Sequence, residues 1–186
     1  DLSFHQNGIY SNSGSAVTAG YLTIMHSQKR AIDAGMGSVI NLWNSSLNQN
    51  RGAGIWGYGA RIYVSDSEIS SNNQDDSDSG GIHLLENAQI NLRNTLIKEN
   101  TGDGIHASKG SHISLYDNNS IRDNTDDGIY LYNGATLQHG WGTVITGNSG
   151  DGIIVLDRSS ADLSELSIIN NGGNGLRISG ASAVTI

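Results

Sequence analysis

Three aspartates stand at matching places in three successive Asp-Gly-Ile steps, and carboxylates repeated in this way can support acid–base chemistry. They are Asp103, Asp127 and Asp151, each 24 residues from the next. If the repeat stacks as neighbouring strands, adjacent carboxylates lie about 5 Å apart. Retaining glycosidases use two carboxylates about 5–5.5 Å apart and inverting ones about 6.5–9.5 Å apart, so the stack supplies candidate catalytic pairs. The alternative is that each aspartate accepts a backbone N–H in a turn.

A second set of residues carries aromatic and imidazole side chains, which follow the small residue–Ile steps of the sequence. Side chains alternate between the two faces of an extended strand, so the neighbours of an inward-pointing Ile point outward. The set comprises Trp56, Tyr58, His83, His106, Tyr130 and Tyr132. A contiguous row of exposed rings is a candidate surface for binding a sugar or a protein partner. The alternative is that bulky side chains cover the outer face of a parallel sheet and stack between its strands.

One repeat is lengthened by an acidic segment. Thirteen residues separate Ile69 from Ile82, where the equivalent interval in the other repeats is eight. The extra residues fall in the segment 73–80, which carries three aspartates, Asp75, Asp76 and Asp78. Calcium prefers several carboxylate and carbonyl oxygens, so this segment, together with Asp103 of the next repeat, is a candidate calcium site. The alternative is a solvated polar bulge without an ion.

These residues can act together only if the chain repeats, and a step of a small residue followed by Ile or Leu indicates that it does. The step recurs at Gly8-Ile9, Ala31-Ile32, Gly54-Ile55, Gly81-Ile82, Gly104-Ile105, Gly128-Ile129, Gly152-Ile153 and Gly175-Leu176. Each of these anchors opens a short apolar group with a period of two, and two further groups follow it. Three short strands for every 23–24 residues predict an all-β fold, a parallel β-helix or solenoid of about eight coils. Residues 1–186 then form a single domain.

Asparagine and glycine mark the predicted turns. An Asn stands three residues after the apolar position of the third group, at Asn50, Asn72, Asn100, Asn124, Asn148 and Asn171, and Ser27 takes this place in the first coil. Stacked about 4.8 Å apart, these amides can hydrogen-bond along a ladder, which gives each buried side chain a partner. The Gly before each anchor predicts a turn with positive φ, which a β-branched residue adopts only at a cost.

Composition excludes some classes of function. The chain has 18 acidic and 10 basic residues, a formal net charge of −8. Because a basic patch is the usual mark of nucleic-acid binding, no nucleic acid is expected as a partner. No apolar run approaches the 18 residues of a membrane-spanning helix, so no membrane insertion is expected.

The pattern Asn-x-x-Asp-Gly-Ile at residues 100–105, 124–129 and 148–153 resembles the repeats of the pectate lyase-like superfamily. That superfamily includes pectate lyases, polygalacturonases, alginate epimerases and phage tailspikes. The resemblance implies a right-handed coil, an extracellular or cell-surface location, and a polysaccharide as ligand or substrate. Asn124-Thr125-Asp126 is similar to an Asn-Thr-Asp element of polygalacturonases, but the companion Asp-Asp and Gly-His-Gly elements are missing. The catalytic residues of that family are therefore not carried over.

Two functions remain open. The first is an extracellular or surface β-helix segment that binds polysaccharide or a protein partner through its row of rings. The second is a carbohydrate-active enzyme, a glycosidase before a lyase or epimerase, that uses the stacked aspartates. The coil pattern is interrupted at Leu2 and again at Ile186, which predicts a segment of a longer β-helix whose ends are covered by capping regions or by another subunit.

Overall fold

In a computed structural model the chain is built from short parallel strands. The structure describes residues 2–75, 80–139 and 141–186, and within these ranges it contains 24 strands and no helix. The strands form three sheets of eight, and each sheet takes every third strand of the chain. The predicted all-β parallel β-helix of about eight coils is confirmed.

Each sheet collects one of the three apolar groups of the repeat. The first sheet, which carries the anchors, contains β2 (Ile9–Ser11), β5 (Ile32–Ala34), β8 (Ile55–Tyr58), β11 (Gly80–Leu85), β14 (Asp103–Ala107), β17 (Ile129–Leu131), β20 (Ile153–Val155) and β23 (Leu176–Ile178). The second contains β3 (Ala16–Gly20), β6 (Val39–Trp43), β9 (Arg61–Ser65), β12 (Gln89–Arg93), β15 (His112–Tyr116), β18 (Thr136–His139), β21 (Ser160–Asp162) and β24 (Ala183–Thr185). The third contains β1 (Leu2–Ser3), β4 (Thr23–Met25), β7 (Ser46–Asn48), β10 (Glu68–Ser70), β13 (Leu96–Lys98), β16 (Ser120–Arg122), β19 (Val144–Thr146) and β22 (Ser167–Ile169).

The apolar residues of successive coils stack in register inside the solenoid. In the first sheet Ile55 pairs with Ile82, Ile82 with Ile105 and Ile105 with Ile129. All four are fully buried, as are the corresponding isoleucines of the other sheets between the second and sixth coils. A β-branched residue suits this position because its side chain packs against the same residue one strand away. The register therefore determines which side chains of each strand point outward.

The predicted asparagine ladder is present at the turn between the third and first sheets. The Nδ2 of Asn72 donates to the Oδ1 of Asn100 at 3.1 Å, and the Nδ2 of Asn100 donates to the Oδ1 of Asn124 at 3.1 Å. The backbone N–H of Asn100 donates to the same Asn124 oxygen at 3.1 Å, and Asn100 Nδ2 also reaches the carbonyl of Ile69 at 3.1 Å. These asparagines are at most 1% exposed, so the ladder satisfies amides that have no access to water.

A second polar ladder lies at the turn between the second and third sheets. The Oγ of Ser67 accepts from the backbone N–H of Ser45 at 3.0 Å, and the Oδ1 of Asn119 accepts from that of Thr95 at 3.1 Å. The sequence pattern does not reveal this ladder because its residue type changes from Ser to Thr to Asn between coils. Two corners of the solenoid are thus held by side-chain hydrogen bonds that run from coil to coil.

The reason predicted for the anchor glycines is wrong. Positive φ is not found at the anchor glycines Gly54, Gly104 and Gly128. It is found instead at the residue before each position of the asparagine ladder, as at Glu99 with φ 55°. The anchor glycines are required by close packing. A Cβ on Gly104 would lie 2.5 Å from the Cγ2 of Ile121 and 2.7 Å from the carbonyl oxygen of Gly128. Glycine is therefore needed where two coils approach one another, in addition to the turns.

Candidate functional site

The predicted ring residues lie together on the outer face of the first sheet. Trp56 is in register with His83, His83 with His106, and His106 with Tyr130. Tyr58 is the last residue of β8 and Tyr132 follows β17. We call Trp56, Tyr58, His83, His106, Tyr130 and Tyr132 the ring stripe. It crosses four consecutive strands, because alternation along each strand points every one of these side chains away from the core.

The rings of the stripe contact one another in two groups, a pair on β8 and a set of four on the next three strands. Centroid separations are 5.7 Å for Trp56 and Tyr58, 4.9 Å for His83 and His106, 4.8 Å for His106 and Tyr130, and 6.4 Å for Tyr130 and Tyr132. His106 and Tyr130 are almost parallel, with 11° between their planes. Such stacking at the strand spacing covers ring faces and leaves ring edges toward solvent. Tyr132 is the most exposed ring of the stripe, at 42%.

Trp56 is also covered from the preceding coil. The guanidinium carbon of Arg30 lies 4.1 Å from the Trp56 ring centroid, a cation–π contact. Arg30 is in turn held by Asp33, whose Oδ2 lies 3.0 Å from its Nη1. One face of the indole is therefore occupied by the protein itself.

At its other end the stripe stops at Ile154. This residue is in register between Tyr130 and Arg177, at an outward position, yet it is fully buried and lies outside the core cluster. Tyr10 occupies the corresponding position in the first coil and is 66% exposed, but it is separated from the stripe by buried Asp33. The contiguous ring surface is thus confined to four coils.

The stacked aspartates lie in the turn that leads into the first sheet, and each accepts a backbone N–H from the next coil. Asp103 Oδ1 accepts from the N–H of Asp127 at 3.2 Å, and Asp127 Oδ1 accepts from that of Asp151 at 2.6 Å. Asp151 Oδ1 accepts from the N–H of Asn174 at 2.5 Å. These bonds form a third ladder, so the structure places in these residues the turn-capping role that was one of the two sequence-based alternatives.

Burial changes the acid–base properties of two of these carboxyls. Asp103 and Asp127 are only 5% and 6% exposed. Loss of hydration raises the pKa of Asp127 from 3.8 to about 6, and the charges of Asp103, Asp126 and Asp151 act in the same direction, against the backbone N–H of Asp151. Burial also raises the pKa of Asp103, against a hydrogen bond and an ionic contact with His106.

The aspartate stack and the ring stripe are connected. His106 Nδ1 lies 3.0 Å from Asp103 Oδ2, so the carboxylate orients one ring of the stripe. Burial, followed by the charges of Asp103 and Asp127, raises the pKa of Tyr130, which keeps its hydroxyl protonated at neutral pH. At the far end, Arg177 Nε lies 2.8 Å from Asp151 Oδ2.

Carboxylate oxygens of Asp103, Asp126 and Asp127 lie within 4.8 Å of one another, which is the spacing of groups that can hold a cation. The acidic segment of the sequence analysis is a different place. Of its three predicted calcium ligands, Asp76 and Asp78 lie outside the described residues. Asp75 pairs with Arg51, whose Nε lies 2.8 Å from Asp75 Oδ2.

The sequence analysis missed a groove on the outer face of the second sheet. It has a volume of about 530 Å³ and is lined by the outward residues of β6, β9, β12 and β15, among them Trp43, Tyr63, Arg93 and Tyr116. Tyr63 and Tyr116 are 44% and 46% exposed. The available signal was the same alternation that identified the stripe, applied to the second strand of each coil.

Comparison with known proteins adds one match. The family model described as "Right handed beta helix region" matches residues 7–141. Neither a curated protein nor a solved structure matches the chain. Within the described part of the chain, no helix has the length and apolar character needed to cross a membrane.

Proposed function

Because the chain belongs to the right-handed β-helix family, whose coils hold outward side chains in fixed rows, we propose that it is a rigid scaffold that binds a polysaccharide along the ring stripe. The scaffold acts outside the cell or at the cell surface, where extended glycans are available. A protein partner is the alternative ligand of the same surface. The single observation that carries the proposal is the row of outward rings on four neighbouring strands, in which Trp56 contacts Tyr58 and the other four rings contact one another in sequence.

The contacts within the stripe suggest how a glycan would bind. His106 has Tyr130 against one face and a second ring contact with His83, so it offers a ring edge with a nitrogen. Tyr130 offers a protonated hydroxyl, and Tyr132 adds the largest open surface. Ring edges with polar atoms suit hydrogen bonds to sugar hydroxyls, while the ring carbons remove apolar sugar surface from water. Binding therefore depends on the whole row.

Rigidity favours an extended polymer over a small ligand. The rings are held by strands in register, by Asp103 under His106 and by Arg30 on Trp56. A polymer lying across four strands, a distance of about 14 Å, would meet several of these groups without any of them having to reorganise. Weak individual contacts then add along one chain.

The experiment is a glycan array followed by affinity titration of the strongest hit. Tyr130→Ala and Tyr132→Ala are expected to weaken binding about tenfold or more, since exposed aromatic anchors carry much of the energy in such surfaces. Tyr10→Ala is the matched control, because Tyr10 is an exposed ring on the same sheet but outside the stripe. If both stripe variants bind as the unsubstituted protein does, the proposal fails. If the stripe variants lose binding to a protein partner and keep their binding to glycans, the ligand of the stripe is the protein.

A second candidate function, glycoside hydrolysis, is favoured by the raised pKa of Asp127 close to Asp103. A carboxyl with a pKa near 6 can donate a proton to a leaving group while a neighbouring carboxylate acts as nucleophile or base. Asp127 Oδ1 accepts the N–H of Asp151, so Oδ2 is the atom that would transfer the proton. Hydrolysis would be supported if the protein releases reducing ends from the bound glycan. This release should be abolished in Asp127→Asn and kept in Asp157→Asn. Absence of release from every glycan that binds would refute it.

A further inference from the structure

We propose that the groove on the second sheet is a separate binding site for a neutral polysaccharide, in which Trp43, Tyr63 and Tyr116 serve as platforms for sugar rings. This site lies on a different sheet from the ring stripe and is carried by different residues. It therefore stands or fails independently of the function proposed for the stripe.

The rings of the groove differ from those of the stripe in their contacts, since each stripe ring contacts another ring. Among the described residues no aromatic ring or cation stacks on Trp43, Tyr63 or Tyr116. Tyr63 and Tyr116 keep close to half of their surface exposed. A pyranose has an apolar face of C–H groups, and an unoccupied aromatic face is the protein surface that such a face removes from water.

Trp43 is held flat against the sheet by a glycine. Gly20 is in register with Trp43 one coil earlier, and a Cβ on Gly20 would overlap the Cε2 and Nε1 atoms of the indole. The ring therefore lies over the bare backbone of the neighbouring strand, where it lines the groove. Gly20 does not have positive φ, so the glycine is required here by the ring and not by the backbone conformation.

The groove is the space between long side chains and short ones. Along one row of the sheet Trp43 is in register with Ser65, Ser65 with Arg93, and Arg93 with Tyr116. Because Ser65 is short, it leaves an open floor between Trp43 and Arg93. Tyr116 follows Arg93 and lies three strand spacings, or about 14 Å, from Trp43. The length suits an oligosaccharide stretch of a polymer. In the parallel row, Asn41, Tyr63 and Asn91 place amides beside the central ring, where they can bond sugar hydroxyls.

Charge selects a neutral glycan. Arg93 is the only charged residue in the lining, and its Nε lies 3.1 Å from Asp117 Oδ2. The pair leaves the groove without net charge, on a chain whose formal net charge is −8. A polyuronate would bring many carboxylates to an acidic protein at a groove whose one lining cation is already paired, so the neutral class fits and the acidic class does not.

The test is a titration of the whole chain with three soluble probes: a β-glucan, a galactomannan and polygalacturonate. At least one neutral probe is expected to bind, and polygalacturonate is expected to bind at least tenfold more weakly or not at all. Trp43→Ala and Tyr63→Ala should each weaken the neutral interaction about tenfold or more, because central aromatic contacts dominate such sites. Tyr10→Ala, an exposed ring on the first sheet, is the control.

Two further measurements keep the test specific to the groove. In a Trp56→Phe, Trp141→Phe background Trp43 is the only indole, and its emission should shift on addition of the neutral probe. Gly20→Ala removes no ring but lifts Trp43 from the sheet, so it should weaken binding although circular dichroism is unchanged.

Unchanged affinity in all three groove variants overturns the proposal, as does tighter binding of polygalacturonate. If the stripe variants alone reduce affinity, the stripe is the glycan site and the groove is not. If the groove variants alone reduce it, the groove is the site for these probes, and the stripe proposal is tested separately with the glycan selected by the array.

Discussion

Replacement of Asp127 by Asn should stabilise the protein at neutral pH. Asp127 is 6% exposed, and its pKa is raised from 3.8 to about 6, so the folded state holds its proton more tightly than the unfolded chain does. A carboxyl with a raised pKa contributes its full stability below the unfolded value and loses that contribution as the pH rises through the folded value. The free energy of unfolding should therefore fall between about pH 4 and pH 6.5 on account of this group.

The size of the effect follows from the two pKa values. At about 1.4 kcal/mol for each pH unit between them, the full contribution would be about 3 kcal/mol. Counter-ions and water at the turn reduce this to about 1–2 kcal/mol. Asn preserves the shape and leaves an oxygen to accept the N–H of Asp151, so the substitution removes the charge and keeps the ladder.

The assay is urea unfolding at intervals of half a pH unit from pH 4 to pH 8, since urea, unlike guanidinium, does not screen charges. At pH 8 the free energy of unfolding of Asp127→Asn should exceed that of the unsubstituted protein by about 1–2 kcal/mol. The difference should shrink toward zero at pH 4. Asp157→Asn makes the same chemical change at a half-exposed turn and serves as the control. A difference between Asp127→Asn and the unsubstituted protein that is the same at every pH would refute the assignment of the effect to this carboxyl.

Three stability predictions test the framework of the coil by thermal and urea unfolding. Asn100→Ala removes an amide that bonds both neighbouring coils and should cost about 2–4 kcal/mol, whereas Asn48→Ala, at a half-buried strand position, should cost less than about 0.5. Gly104→Ala should cost about 1–3 kcal/mol or more because its Cβ meets Ile121, and a neutral result would refute the packing explanation. Ile105→Ala should cost about 2–5 kcal/mol, and a loss below 1 would show that the stack tolerates a cavity.

The fold was predictable because every coil has the same structural requirements, and the residues that meet them recur along the sequence. Every coil must bury an inward row of apolar residues and satisfy the same buried amides, so Ile105 and Asn100 recur at fixed spacing. The anchor glycines recur for a reason that spacing alone does not identify. Gly is required both where φ is positive and where two coils approach closely. At Gly104 the positions of Ile121 and of the Gly128 carbonyl show that the close approach is the reason.

The candidate sites were predictable to different degrees. The ring stripe followed from alternation, since a residue beside an inward Ile points outward and rings of the same kind recur at that place. The contacts that modify the stripe did not follow, because Arg30 reaches Trp56 from another coil and Ile154 is buried despite its outward position. The N–H acceptors of the aspartate stack could be stated only as one of two alternatives until the turn geometry was known.

The groove escaped prediction because the side chains in its outer row differ in size and charge from one coil to the next. Its row runs Trp43, Ser65, Arg93, Tyr116, and such a mixture has no periodic signature. The same mixture explains why it is open. Ring side chains one strand apart stack on one another and fill the surface, as His106 and Tyr130 do. A short residue between large ones leaves a space that the protein does not fill, and on a β-helix such a break in the outward pattern is where a ligand can reach an aromatic face.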